Sequence, residues 1–170
     1  MQLPPPFIPD KDHIHAIIET PKGSRSKYVY DPETQFFKLM KTLPTGTAFP
    51  LDFGFIPGTK ADDGDPVDVL VLTEQGLEMG CLVECRVIGV IEAEQQDKGK
   101  EVQRNDRILA VPVVSKNLDH IQTIDDVGTG LLDDLTHFFE YYRAMSGGTF
   151  KPLGQKGPAQ ALALIKQKLI

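Results

Sequence analysis

The chain has 170 residues, of which 41% are hydrophobic, and its 24 acidic and 18 basic side chains give a net charge of -6 at pH 7. This length and composition predict one globular domain over residues 1–170, with enough apolar chain to bury a sizeable core. The acidic balance argues against nucleic acid or an anionic membrane as the main partner. The first ten residues lack the basic and apolar regions of a signal peptide, and no apolar run is long enough to span a membrane, so we expect a cytoplasmic protein.

Strand patterns dominate the first two thirds of the chain, because short β-rich runs alternate there with turn residues. The stretch 44–58 is interrupted by repeated proline and glycine and is predicted to be irregular. The polar stretch 94–105 is predicted to form a protruding hairpin tip. The predicted strands are 13–20, 27–30, 36–40, 67–73, 82–93 and 107–114.

Helical periodicity appears only near the end of the chain. Apolar residues between Leu131 and Tyr142 recur at i, i+3 and i+4, which predicts one amphipathic helix, and 159–170 shows a similar, shorter pattern. Short strands followed by packing helices imply the α+β class. A small closed β-barrel, flanked by these C-terminal helices, is the arrangement that best hides the strand edges.

An acidic loop leads directly into a predicted buried strand, and Gly64 and Pro66 within it favour a tight, stiff bend. Carboxylates held this closely repel one another unless protons or cations offset the repulsion. Hard oxygen ligands on a rigid turn suit Mg²⁺ or Mn²⁺, which also bind substrate phosphates. A solvated turn stays open as the alternative, whereas the ligand spacing of an EF-hand is absent. The loop carboxylates are Asp62, Asp63, Asp65 and Asp68.

Cationic and aromatic candidates lie elsewhere in the chain. The loop 22–27 contains three cations and two hydroxyls, so it could bind phosphate oxygens or form a solvated surface turn. Glu19, just before it, could add a carboxylate to a metal cluster. In the long helix, Tyr142 lies on the apolar face with only its hydroxyl free for function. Arg143 either binds phosphate or covers the helix C-terminus, where cations are favoured.

Together these segments closely resemble the family I soluble inorganic pyrophosphatases, over roughly residues 10 to 155. The resemblance implies an OB-like β-barrel with flanking helices, Mg²⁺ dependence, pyrophosphate as substrate and, in bacterial members, frequent homo-hexamers. The motifs that carry it are Asp63-Gly64-Asp65-Pro66-Val67-Asp68-Val69-Leu70-Val71, Lys22-Gly23-Ser24-Arg25, Gly54-Phe55-Ile56-Pro57, Ala110-Val111-Pro112 and His137-Phe138-Phe139-Glu140.

The resemblance also assigns expected roles to the carboxylates. Asp63 and Asp68 match metal ligands, and Asp65 matches the residue that orients or deprotonates the attacking water. Glu19 matches a carboxylate that contacts metal through water. A carboxylate is basic enough for the task of Asp65, because bridging metals lower the pKa of that water.

The expected substrate-binding residues are cationic or phenolic. Lys27 and Lys41 match cations that hold phosphate, although arginine often stands at the second position in the family. Tyr142 and Arg143 match a Tyr-Lys pair on the side of the leaving phosphate. The arginine keeps the charge of that lysine and changes its hydrogen-bond geometry. Lys27, Tyr142 and Arg143 are therefore expected to act in catalysis as well as in binding.

Several residues depart from the family pattern, above all in the 94–105 hairpin. Alignment from either side places Gln95 and Asn105 where the family has aspartates, and Arg107 where it has a substrate-binding lysine. Asn105 can still offer a carbonyl oxygen to a metal, and a shifted register would let Asp97 or Asp106 supply a ligand. The other departures are Val29 in place of Glu, and Phe49 and Phe53 in place of Tyr.

Three functions are consistent with these residues. The first is Mg²⁺-dependent hydrolysis of inorganic pyrophosphate to two phosphates, favoured by the intact set of Asp63, Asp65 and Asp68. The alternative is a homologue that binds phosphate or metal with weak or no pyrophosphatase activity, which the departures would explain. A third is a shifted substrate, such as a longer polyphosphate or a phosphate ester, suggested by the altered hairpin.

Overall fold

The computed structural model of this chain describes residues 3–170, and within that range it contains nine strands and two α-helices. Two short 3-10 helices, Lys116–Leu118 and Ile124–Asp126, precede the first α-helix. No helix in 3–170 combines the length and the apolar character needed to cross a bilayer. The elements are β1 (His13–Thr20), β2 (Ser26–Asp31), β3 (Phe36–Thr42), β4 (Asp52–Phe55), β5 (Asp68–Val71), β6 (Leu82–Gln96), β7 (Gln103–Arg104), β8 (Arg107–Pro112), α1 (Thr129–Ala144), β9 (Thr149–Lys156) and α2 (Pro158–Gln167).

Seven strands form one mixed sheet, which makes the fold α+β as predicted. Their order is β1-β4-β5-β8-β6-β7, and β9 pairs with β6. Strand β1 pairs with β4 on one side and with β6 on the other, and β5 and β8 are the parallel pair. The strands β2 and β3 form a separate antiparallel hairpin.

Three strands were missed by the sequence patterns: the two-residue β7, and the longer β4 and β9, which were each missed for a physical reason. The prediction of an irregular stretch 44–58 is wrong for β4, whose four residues are all buried and so show no alternation. Strand β9 is mostly exposed and contains Pro152 and Gly154, which are depleted in strands. The predicted hairpin tip is also shorter than expected, because β6 continues to Gln96 and pairs with β7.

The core consists of two apolar clusters on opposite faces of the central strands. Along β5, Leu70 faces the cluster that contains α1, whereas Val69 and Val71 face the cluster that contains α2. Strand β8 alternates in the same way, with Leu109 on the α1 side and Ile108 on the α2 side. The period of two along each strand thus buries both faces and holds β5 and β8 rigidly side by side.

Gly54 in β4 has no room for a side chain, because a Cβ there would lie 2.0 Å from the backbone oxygen of Ile17 in β1. We expect Gly54→Ala to lower the free energy of unfolding by about 3 kcal/mol or more, since the contact is with backbone that must shift. Gly130→Ala, in open space on α1, is the control and should be neutral or stabilise by up to about 1 kcal/mol. Urea denaturation measures both; equal stability of Gly54→Ala and the unmodified chain would contradict the close packing of β1 and β4.

Candidate active site

The parallel pairing of β5 and β8 brings acidic and basic side chains together at one end of the sheet. Asp68, the first residue of β5, is in register with Arg107, the first residue of β8. Their atoms Oδ2 and Nη2 lie 3.9 Å apart. The acidic loop precedes Asp68 in the chain, and Asn105 lies two residues before Arg107. Because β5 and β8 start side by side, the acidic loop before Asp68 and the residues around Arg107 lie in one site.

The acidic loop is shaped by its own hydrogen bonds. Gly64 takes a φ of +94°, a left-handed conformation that glycine adopts without a steric penalty. The backbone N–H of Asp65 donates to Oδ1 of Asp63 at 3.1 Å, and the N–H of Ala61 donates to the carbonyl oxygen of Asp65 at 2.7 Å. Thr59 Oγ1 accepts from the N–H of Val67 at 2.9 Å, where the loop enters β5. These bonds hold Asp63, Asp65 and Asp68 on one short, bent segment.

Burial makes negative charge costly at three carboxylates of the site. It raises the pKa of Asp68, although the charges of Arg107 and Lys27 act in the opposite direction. Burial also raises the pKa of Asp63, and the nearby charge of Asp68 adds to that effect. The pKa of Glu19 is raised by burial against the opposing charge of Lys27. A cation placed among these oxygens would relieve this cost, which is the electrostatic property expected of a metal-binding site.

The carboxylate oxygens fit the ligand chemistry of Mg²⁺, a hard cation that retains water and phosphate ligands. In residues 3–170, no three acidic, histidine or cysteine side chains are grouped closely enough to hold a metal ion by themselves. Asp63, Asp65 and Asp68 therefore line the site without forming a complete coordination shell.

Lys27 is a buried cation beside the acidic loop. Its Nζ lies 3.6 Å from Oε2 of Glu19, whose Oε1 accepts the backbone N–H of Tyr30 at 2.8 Å. The same Nζ lies 3.6 Å from the ring centroid of Phe53 and 5.7 Å from that of Phe49. Burial lowers the pKa of Lys27, and the charge of Glu19 opposes this shift. The two phenylalanines thus offer their ring faces to a lysine, an attraction that needs no hydroxyl group.

Arg107 is held in a fixed orientation. Its Nη1 donates to the carbonyl oxygen of Asn105 at 3.0 Å, and its Nη2 donates to Oε1 of Gln95 at 3.4 Å. The guanidinium carbon lies 4.1 Å from the ring centroid of Phe139 and 5.0 Å from that of Phe150. Burial lowers the pKa of Arg107 to about 10, so the group stays charged at neutral pH. The sequence patterns indicated neither aromatic contact: Phe150 lies in the unrecognised β9, and helical spacing assigns Phe139 only to the apolar face of α1.

Asn105 and Asp106, the neighbouring metal-ligand candidates at the 94–105 hairpin, have different surroundings. Asn105 is buried, and its Nδ2 donates to Oδ2 of Asp63 at 3.2 Å. The carboxylate of Asp106 accepts the N–H of Ala93 at 3.0 Å and lies 2.5 Å from Nε of Arg104. The structure therefore brings Asn105 into the acidic site, whereas Asp106 is engaged in the hairpin itself.

A second group of cations surrounds Tyr142. Lys41 Nζ lies 3.7 Å from the Tyr142 ring centroid, and Arg143 Nη1 donates to Oδ1 of Asp97 at 3.0 Å. Burial raises the pKa of Tyr142 to about 12, so the phenol keeps its proton at neutral pH. The charge of Arg143 also acts on the titration of Asp68, which places this group within electrostatic range of the acidic loop. Asp97, the alternative ligand from the hairpin, is paired with Arg143.

Comparison with known protein sequences finds relatives over most of the chain. A family model for inorganic pyrophosphatase matches residues 16–169. The inorganic pyrophosphatase of Thermus thermophilus is 42% identical over 132 residues, which cover 78% of this chain and 73% of that protein. The inorganic pyrophosphatase of a Synechocystis species is 34% identical over 162 residues, which cover 95% and 93% of the two chains.

Solved structures give the same result for the fold. The crystal structure of the inorganic pyrophosphatase from Thermus thermophilus matches with a TM-score of 0.87 at 38% identity, over 95% of this chain and 92% of that one. The inorganic pyrophosphatase from Neisseria gonorrhoeae matches with a TM-score of 0.88 at 32% identity, over 98% and 95%. The likeness thus covers the sheet, both helices and the acidic loop together.

Proposed function

Because this chain belongs to the inorganic pyrophosphatase family, whose members are hydrolases that act on pyrophosphate, we propose that it hydrolyses inorganic pyrophosphate to two phosphates with the help of Mg²⁺. The observation that carries the proposal is the meeting of Asp63, Asp65 and Asp68 with Lys27 and Arg107 at the start of β5 and β8. Carboxylates can hold the metal and cations can hold phosphate, so the two halves of the site suit a metal pyrophosphate complex.

The metal would be held by the acidic loop. Asp63 and Asp68 would provide carboxylate oxygens, and Glu19 would act through water, with oxygens of the substrate and further waters completing the ligand set. Mn²⁺ suits the same ligands. When bound, the metal neutralises phosphate charge and lowers the pKa of a coordinated water. The burial that raises the pKa of Asp63, Asp68 and Glu19 supports this role, because a cation offsets its cost.

Asp65 is the proposed group that orients the attacking water and accepts its proton. Its side chain is exposed on the loop, two residues from Asp63 and three from Asp68. The backbone hydrogen bonds at Asp65 support a fixed position for its carboxylate. A general base held in hydrogen-bond reach of the nucleophile contributes roughly 10²- to 10⁴-fold to a rate.

The cations of the site would hold the two phosphate groups. Lys27 and Arg107 flank Asp68, and their low exposure strengthens any contact with an anion, because water screens it little. Lys41, Tyr142 and Arg143 would face the leaving phosphate, where Tyr142 can donate a hydrogen bond because its phenol is protonated. Positioning and charge stabilisation of this kind supply most of the catalysis in phosphoryl transfer.

We extend the proposal to the architecture and the assembly. The pairing of β1 with both β4 and β6 supports a closed, OB-like barrel of β1, β4, β5, β8 and β6, in a single domain over residues 1–170. The family resemblance supports a cytoplasmic homo-oligomer, with a hexamer as the expected size. Light scattering of the purified chain tests the hexamer, and a monomer would remove it.

Phosphate release from pyrophosphate tests the proposed function. With excess Mg²⁺ we expect two phosphates per pyrophosphate, and with excess EDTA we expect release to fall to the uncatalysed level, because Asp63 and Asp68 alone repel the anionic substrate. Adding Mg²⁺ back is the control that separates metal removal from irreversible unfolding. Hydrolysis that survives EDTA would contradict the metal requirement. A folded chain that releases nothing with Mg²⁺, or that prefers a polyphosphate or a phosphate ester, would contradict the substrate assignment.

A further inference from the structure

The two sides of the site differ in their ligand chemistry. On the loop side, Asp63, Asp65 and Asp68 provide carboxylates. On the hairpin side, formed by the end of β6, β7 and the start of β8, the guanidinium of Arg107 lies 3.9 Å from Asp68 and donates to the backbone of Asn105 and the amide of Gln95. The carboxylates that could hold divalent ions thus come from one side, and a permanent positive charge occupies the other.

The side chain of Arg107 is restrained by its burial and its contacts. Only 1% of the residue is exposed, and its guanidinium lies against the rings of Phe139 and Phe150. Two of its nitrogens donate to Asn105 and Gln95, while its buried Nε has no hydrogen-bond partner among residues 3–170. A buried polar atom without a partner costs free energy, so the orientation of this group is determined by its surroundings and not by Nε. The position of this charge beside Asp68 is therefore set by contacts within the protein itself.

The amides on the hairpin side complement this charge. Gln95 turns its oxygen toward Nη2 of Arg107, so that oxygen is already engaged by a cation. Asn105 donates from Nδ2 to Oδ2 of Asp63 at 3.2 Å, which presents an amide N–H, and not an oxygen, to the acidic loop. A divalent ion on this side would meet a guanidinium and an N–H donor, and both repel a cation.

We propose, on the basis of the function proposed above, that the hairpin side of the site holds no divalent ion of its own, because Arg107, Gln95 and Asn105 present a guanidinium and two amides there. The free protein then binds a single divalent ion, at the carboxylates of Asp63 and Asp68 on the loop side. Arg107 supplies the second fixed positive charge and would hold one phosphate group of the substrate. Further metal ions enter only with the substrate, whose phosphate oxygens provide the missing ligands.

Titration of the free protein with Mn²⁺ tests this proposal, with bound and free ion distinguished by electron paramagnetic resonance at neutral pH without phosphate. We expect one Mn²⁺ per chain. Asn105→Asp replaces the N–H donor beside Asp63 with a carboxylate and should add a second ion or tighten binding by roughly tenfold or more. Gln160→Glu, which adds the same charge on the exposed start of α2, should bind one ion with unchanged affinity.

Variants of Arg107 separate its charge from its packing. Arg107→Gln removes the fixed charge and should allow a second Mn²⁺ to bind, whereas Arg107→Lys keeps the charge and should retain one. Circular dichroism verifies that each variant is folded, and Asn105→Asp provides the test if Arg107 cannot be replaced. Two or more Mn²⁺ ions on the free unmodified chain, or none, would overturn the proposal, as would unchanged binding in both Asn105→Asp and Arg107→Gln.

The metal titration and the hydrolysis assay test the two proposals separately, so one proposal can fail while the other holds. A chain that binds two ions without phosphate and still hydrolyses pyrophosphate would overturn the role of Arg107 and leave the proposed function intact. A chain that binds one ion, responds to Asn105→Asp and releases no phosphate would contradict the proposed function and retain the inferred metal site.

Discussion

Asp65→Asn is expected to lower kcat for pyrophosphate hydrolysis by roughly 10²- to 10⁴-fold, the contribution typical of a general base. The substitution removes the group that accepts the proton and preserves the size of the side chain. The loop bonds involve the backbone N–H and carbonyl oxygen of Asp65, so they survive the change. Phosphate release at saturating Mg²⁺ and substrate measures kcat, and Mn²⁺ titration checks that the metal still binds.

Asp62→Asn is the matched control for Asp65→Asn, because the same chemical change is made three residues earlier in the loop. Asp62 is exposed and forms a surface ion pair with Lys168 at 2.5 Å, a type of contact worth about 1 kcal/mol or less. We expect its kcat to stay within about threefold of the unmodified chain, a ratio equivalent to less than about 1 kcal/mol. Equal activities of Asp65→Asn and Asp62→Asn would refute the proposed role of Asp65.

Asp68→Asn is expected to weaken metal binding by more than the roughly 10- to 100-fold that loss of an outer-sphere partner costs, because it removes a direct ligand. It also removes the carboxylate that faces Arg107 and Lys27, so the positive charge near the metal is no longer offset. At a fixed, low Mg²⁺ concentration hydrolysis should fall at least as far as metal occupancy falls. Activity measured across a range of Mg²⁺ concentrations checks this effect.

The dependence on Mg²⁺ distinguishes a metal ligand from a general base. Part of the activity of Asp68→Asn should return at high Mg²⁺, whereas that of Asp65→Asn should not. Asp106→Asn is the control, since Asp106 binds Ala93 and Arg104 and lies outside the proposed ligand set. It should leave the Mg²⁺ requirement unchanged, although the hairpin loses an ion pair. An unaltered Mg²⁺ requirement in Asp68→Asn would remove Asp68 from the ligand set.

Much of the chemistry was visible in the sequence because it is local. The acidic loop lies within 62–68, and its glycine and proline specify a bend without help from distant residues. The same motif carries the family resemblance, which the comparisons confirmed over residues 16–169. The α1 helix could also be predicted, because an apolar face at helical spacing is a property of a single segment.

Strand β4 and strand β9 needed the tertiary structure. A strand buried on both faces has no alternating pattern, and an exposed strand that contains proline and glycine has no apolar one. Both form because a neighbour offers them backbone partners, β1 and β5 for the first and β6 for the second. Strands β4 and β9 form only by pairing with other strands, and the sequence of one segment does not show which strand it pairs with.

The roles of Asn105 and Asp106 were decided in the same way. They are neighbours in a hairpin whose register the sequence left open, and a shift of one residue would exchange their surroundings. Their partners in the folded chain are Asp63 for Asn105, and Ala93 and Arg104 for Asp106. The residue types that could do the chemistry were apparent from motif and spacing, which are local properties of the chain. Which of these residues meet follows from strand register and from the packing of Arg107, because both join residues that lie far apart in the chain.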